Sequence, residues 1–189
     1  MAFMSDTTLL TWGSKITVRQ VKDWIAAADR SHLADFLLKR FSERYFEPLK
    51  GHSVSGFLLM GVSCLVIESL ESYRQGWQST EKMGNRPFSD FFGRHDAFSE
   101  FRASGGLFYK NVRCGILHQG ETTGGWTITQ EESESLFQQD KRRVNADKFH
   151  RTLEAVLKNY VTELNAKAIT DEIWINCIYK LQATIRNCD

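Results

Sequence analysis

Proline is nearly missing from this chain, with 2 in 189 residues, and no stretch is of low complexity or linker-like. An excess of either charge is missing as well. A formal net charge of +1 excludes a grossly basic nucleic-acid tail, though not a local basic patch. The four cysteines, Cys64, Cys114, Cys177 and Cys188, form no CxxC pair, and no histidine stands beside them at zinc-ligand spacing, so reduced thiols are expected. The longest apolar run, Phe57 to Ile67, is too short for a membrane span and is interrupted by Gly61 and Ser63. The opening residues carry neither the basic region nor the apolar run of a secretory signal. A soluble, cytoplasmic protein without membrane contact is therefore expected. Also missing are a GxxxxGK phosphate loop, GxGxxG, GxSxG, HExxH and an EF-hand loop. No cofactor and no metal are expected.

What is present is mostly amphipathic helix. At 42% hydrophobic residues the chain is long enough to bury a sizeable core. Val18, Val21, Trp24, Ile25 and Ala28 follow the helical repeat. Ser31 is the expected N-cap of a second helix carrying Leu33, Phe36, Leu37, Arg40 and Phe41, which Pro48 and Gly51 close. A third helix is predicted from about Ser53 to Trp77, central because its first half is apolar nearly all round. Phe88, Phe91, Phe92, Phe98 and Phe101 form an aromatic stripe of the kind that fills cores. A further helix through LFYKNVRCGILHQ stops at Gly120. From Glu121 to Asn145 the pattern turns strand-like at WTIT, with Leu136–Phe137 and Arg143–Val144 as further short strands. Phe149 to Leu164 returns to helix, and a last helix capped by Thr170 or Asp171 carries Trp174, Cys177, Ile178, Leu181 and Ile185. The prediction is an all-α bundle of about six or seven helices with a small β-hairpin insertion. It is read as one domain over 1–189, with N-terminal helices at 1–50, core helices at 53–119, the insertion at 121–145 and C-terminal helices at 146–189.

Phe108 to Glu121 is dense in groups that handle protons and anions: Tyr109, Lys110, Asn111, Arg113, Cys114, His118 and Glu121. Four residues separate Arg113 from His118. An R-x(4–6)-H motif near the end of a helix in an all-α domain resembles the HEPN superfamily. The resemblance covers roughly Ser53 to Leu164. It implies a HEPN-like bundle and, as in many members, a metal-independent endoribonuclease of toxin–antitoxin or defence type. It also implies a homodimer whose motif helices face each other across a composite site, with a protein antitoxin or regulator as a further partner. Arg143 and His150 match the motif too, with six residues between them. Arg113–His118 is preferred because both lie in one predicted helix, whereas Arg143 lies at the edge of the insertion. The residue after the motif arginine, commonly polar in active members, is Cys114 here.

The chemistry suits the pair. Metal-free RNA cleavage needs a group to move a proton and a fixed cation for the developing negative charge. Histidine titrates near neutral pH, and arginine stays charged and forks onto phosphate oxygens. On a regular helix the two positions lie about 140° apart, so the long arginine or a two-fold partner must complete the site. Tyr109, Asn111 and Glu68 are secondary candidates, and Glu68 or Glu71 is the expected ion-pair partner of Arg113. Lys141, Arg142, Arg143, Lys148 and Arg151 are candidate RNA-phosphate contacts, continued by Lys158, and Trp77 and Trp126 are candidate base-stacking residues. Each has a plainer alternative: His118 as a helix C-cap, the cations as a solvated face, the tryptophans as core. A catalytic Cys114 beside His118 competes with a buried cysteine on a helix. The competing function is a non-catalytic HEPN-like interaction or nucleotide-binding module.

Overall fold

Thr17 and Gln20 close a capping box at the start of the first helix. The Thr17 hydroxyl accepts from Gln20 N–H, and the Gln20 side-chain oxygen accepts from Thr17 N–H at 2.9 Å. In the computed structural model, which describes residues 6–50 and 53–186, helix α1 (Val18–Ala26) ends before Ala28, whose φ is +52°. Asp29, rather than Ser31, caps α2 (Arg30–Phe41), with its carboxylate accepting from His32 N–H at 3.1 Å. Ser31 already lies inside the helix, where its hydroxyl is too late in the chain to reach the first free N–H groups. A π turn (Ser42–Phe46) and a 3₁₀ turn (Glu47–Leu49) follow. Gly51, expected to close this segment, lies outside the described residues, as does Cys188.

The order then continues with α3 (Gly56–Gln75), α4 (Arg86–Arg94), a 3₁₀ stretch (Asp96–Ser104), α5 (Gly105–Phe108), a π turn (Tyr109–Arg113) and α6 (Cys114–Gln119). Strands β1 (Thr127–Thr129), β2 (Phe137–Gln138) and β3 (Arg143–Asn145) precede α7 (Ala146–Ala166) and α8 (Glu172–Arg186). The protein is thus mostly helical with a small three-stranded sheet. The sheet is more than the expected hairpin. β2 and β3 pair antiparallel, but β1 joins the far side of β3 in parallel, with Ile128 opposite Val144. Asn145 joins sheet to helix: its side chain accepts from Lys148 N–H at 3.1 Å at the start of α7 and donates to Glu131 O at 2.8 Å.

The chain divides into two compact units. The first holds residues 1–50, 72–79 and 157–189. Val18, Val21, Phe36, Phe41, Trp174 and Leu181 are buried there. The Trp174 indole N–H donates to Leu164 O at 2.8 Å, so the largest buried side chain leaves no polar atom unsatisfied. Burial raises the Cys177 thiol pKa to about 12, as an inert core cysteine requires.

The second unit holds residues 51–71 and 80–156. Its core is aromatic: Phe88, Phe91, Phe92, Phe98 and Phe101 are fully buried, joined by Phe108 and Phe149. Phe92 stacks on Phe101 at 4.9 Å, and Phe101 on Phe137 at 4.4 Å. Trp126 stacks on Phe137 at 5.4 Å and is buried, so it is core rather than a base-stacking platform. Glu71, also buried, accepts from Arg94 Nη1 at 2.5 and 2.7 Å, which gives a carboxylate in an apolar setting a charged partner. By length and composition α3 could cross a membrane, but most of its apolar stretch is buried inside the protein.

Candidate functional site

The segment that carries Arg113 and His118 is not one regular helix. At Tyr109–Arg113 the backbone widens into a π turn, and Cys114 N–H donates to Tyr109 O, five residues back. The extra residue in the turn sets the Cys114 N–H on the Tyr109 carbonyl and leaves the two side chains near each other. π turns inside α-helices recur at functional sites. A 3.6-residue hydrophobic periodicity does not mark a π turn of this kind. Gly120 ends α6 in the left-handed conformation (φ +71°), and its N–H donates to Ile116 O at 3.1 Å. Glu121 follows as an exposed loop residue.

Arg113 reaches across to α3. Its Nε donates to Glu68 Oε1 at 2.9 Å and its Nη2 to Glu68 Oε2 at 3.4 Å. Of the two carboxylates considered from sequence, Glu68 is the partner, and Glu71 is taken by Arg94. Both members of the Arg113–Glu68 pair are mostly buried, with side chains 21% and 14% exposed. Burial pulls the Arg113 pKa down, but the hydrogen bonds and charge of Glu68 outweigh it and raise the net value, so the cation is permanent. Glu68 occupies only one edge of the guanidinium fork. The remaining nitrogen, Nη1, lies 3.5 Å from His118 Nε2. The imidazole is exposed. An arginine has no acceptor, so a hydrogen bond along this contact would use the lone pair of Nε2.

Tyr109 completes the row. The Arg113 guanidinium carbon lies 5.7 Å from the Tyr109 ring centroid, and the ring packs on Phe88 at 5.7 Å. The neighbouring Cys114 side chain and burial raise the Tyr109 pKa above the ordinary phenol value. Beneath lies Cys64, whose thiol pKa is raised by burial.

Asn111 belongs to the frame. It is 7% exposed; its amide donates to Leu107 O at 2.9 Å, and its oxygen accepts from Thr123 Oγ1 at 3.0 Å. Thr123 N–H in turn donates to Asn111 O at 2.9 Å. Gly124 (φ +61°) faces the same side chain, and a Cβ at 124 would overlap Asn111 Oδ1. The function of Asn111 is therefore to clamp the loop after α6, and the sequence placed it among the chemical candidates only because it shares a helix with them.

The second motif match does not form a pair. Arg143 donates to Glu134 at 3.0 Å and to Thr127 at 3.3 Å, while His150 is buried with Nδ1 3.0 Å from Ser63 Oγ. The basic run turns inward to its own insertion. Arg142 donates to Gly124 O at 2.6 Å, Lys148 to Glu132 O and Glu134 O at 2.7 Å each, and Arg151 to Glu132 at 3.1 Å. Arg142, Lys148 and Arg151 thus help to hold the insertion on itself and on α7. Lys141, Arg142 and Arg151 are nonetheless exposed. Trp77 is half-buried.

Among the described residues no three of His, Cys, Asp and Glu converge as metal ligands. Set against known protein families, curated proteins and solved structures, the chain matches none.

Proposed function

We propose that this protein is a metal-independent endoribonuclease of the HEPN type, working as a homodimer with RNA as substrate. The observation that carries the reading is the 3.5 Å approach of Arg113 Nη1 to the exposed Nε2 of His118, with Glu68 fixing the opposite edge of the guanidinium. A phosphodiester bound at Nη1 would bring the adjacent ribose 2′-hydroxyl to His118, whose Nε2 lone pair is free to take its proton once phosphate replaces imidazole at Arg113. Arg113 then stabilises the charge that develops on phosphorus oxygens. The products are a 2′,3′-cyclic phosphate and a 5′-hydroxyl.

The dimer is supported by exposed apolar side chains on the elements that carry the site. Leu58 and Leu65 of α3 and Leu117 of α6 are 52%, 44% and 41% exposed. Leu58, Gly61, Leu65 and Glu68 follow one another at three- and four-residue spacing, so the two leucines share the flank of α3 that meets Ile116 and Arg113. A second copy laid on this flank would bury them and bring two Arg113–His118 pairs together.

The test is RNA cleavage by purified protein in EDTA, comparing wild type with Arg113→Ala and His118→Ala, each checked for folding by circular dichroism. The expected result is cleavage that survives chelation and falls by at least 100-fold in both variants, the scale of a lost proton-transfer or oxyanion-stabilising group. Absence of cleavage by wild type at high concentration would overturn the proposal. It would favour the reading as a non-catalytic interaction or nucleotide-binding module, in which the Arg113–Glu68 pair is structural.

A further inference from the structure

Cleavage through the 2′-hydroxyl moves two protons. One leaves O2′ as it attacks phosphorus, and one must reach O5′ as the P–O5′ bond breaks. His118, with Nε2 as an acceptor, accounts for the first. Arg113 does not release a proton, and two of its three nitrogens are engaged by Glu68. Glu68 is its ion-pair partner.

Resting on the reading above, we infer that Tyr109 is the general acid, giving its phenolic proton to the departing O5′. The three side chains follow one another in chain order, and the long arginine puts its guanidinium near both the ring and the imidazole. Arg113 lies 5.7 Å from the Tyr109 ring and 3.5 Å from His118. A phosphate held by Arg113 would therefore have both a phenol and an imidazole as neighbours, the two separate groups that acid and base catalysis need. Phe88 beneath the ring and the π turn under its backbone fix the phenol without charged neighbours on its own element other than Arg113 and the exposed Lys110.

Sulfur is a weak acceptor, so the Cys114 side chain near Tyr109 does not compete with an alkoxide or phosphoryl oxygen for the phenolic proton. The bookkeeping closes within the site. O2′–H and P–O5′ break, O2′–P and O5′–H form, and the proton gained by His118 returns through solvent to the phenolate. No oxidant, metal or co-reactant is consumed.

The experiment uses a short RNA with O5′ at the scissile bond and the same RNA with sulfur in its place, a leaving group that departs without protonation. Tyr109→Phe keeps the ring on Phe88 and under Arg113 and removes the hydroxyl alone. For the oxygen substrate the variant is expected to be about 100-fold slower than wild type, the scale of a lost general acid. For the sulfur substrate it should fall within about threefold of wild type, with an unchanged melting temperature. Equal slowing on both substrates would assign Tyr109 a structural role and overturn the inference. So would wild-type rates on both, which would point to the partner protomer's imidazole as the acid. If wild-type protein cleaves the sulfur substrate but not the oxygen one, acid catalysis is absent and the inference fails while the Arg113–His118 reading stands. Failure of wild type on both overturns that reading itself.

Discussion

At the scale of single residues, the proposed chemistry and the framework divide by burial and partner. Arg113 and His118 share one contact on an exposed face, whereas Asn111, in the same turn, is enclosed by Leu107 O and Thr123. Asn111→Ala is expected to cost about 1–3 kcal/mol by leaving those groups unmatched. A urea titration measures this, with cleavage falling only in proportion to the folded fraction. Glu68→Ala has the opposite profile. The guanidinium loses the anchor on its Nε edge, and small misplacements of a charged clamp are costly to rate. Single-turnover cleavage should drop about tenfold or more, and wild-type rates in this variant would show that Glu68 does not position Arg113. The sequence made Arg113, His118 and Glu68 legible because each needs a chemical reason to be where it is. It did not separate Asn111 from them, since burial of a polar amide depends on a loop, Thr123–Gly124, that comes later in the chain.

At the scale of elements, hydrophobic periodicity revealed the helices but not their irregular turns. α3 begins at Gly56 and ends at Gln75, close to the expected Ser53–Trp77. The π turn at Tyr109–Arg113 was invisible to a 3.6-residue repeat, yet it decides which side chains meet. The 140° separation expected between positions 113 and 118 was bridged by the length of the arginine. The strands of the insertion were legible from β-branched composition, but the parallel pairing of β1 with β3 depends on a crossover through 130–136 that no local pattern encodes. Close approach also fixes the end of α6. A Cβ at Gly115 would overlap the Glu121 carbonyl, so Gly115→Ala should destabilise the protein by about 1–3 kcal/mol, read as a lowered thermal midpoint.

Glu43 performs a similar service for the loop before α1, accepting from Gly13 N at 2.7 Å and Ser14 N at 2.9 Å. Burial raises its pKa, but these bonds outweigh burial and hold it below the ordinary value. A carboxyl depressed in the folded state adds stability that is present above its unfolded pKa, about 4.3, and is lost as pH falls through the lower folded value. Glu43→Gln is therefore expected to lower stability at neutral pH and to shrink the gap to wild type below about pH 4. Denaturant melts across that range measure it, and a gap independent of pH would contradict the assignment.

At the scale of the whole molecule, the aromatic cluster is the main store of stability in the unit that holds the site. Phe92 touches Phe88, Phe91, Phe98, Phe101, Phe108 and Phe149. Phe92→Ala should cost about 3–5 kcal/mol, enough to unfold a marginal domain. The sequence shows this core as a stripe of phenylalanines, and the structure adds Trp126, for which core and base stacking were both open from sequence. Assembly is the larger question. If the leucines beside the site are a dimer seam, Leu117→Asp should turn a dimer into a monomer in analytical ultracentrifugation and remove cleavage with it. Nothing in a single chain's sequence identifies such a seam, because exposed leucines become interpretable only once α3 and α6 are seen side by side.

The measurement that reaches the central claim most directly is the chemistry of the RNA ends produced in EDTA. A 2′,3′-cyclic phosphate with a 5′-hydroxyl, absent from reactions with His118→Ala, is the predicted result, since it records attack by the ribose hydroxyl under the control of this imidazole. Ends bearing a 3′-hydroxyl and a 5′-phosphate, or cyclic ends undiminished in the His118 variant, would contradict it.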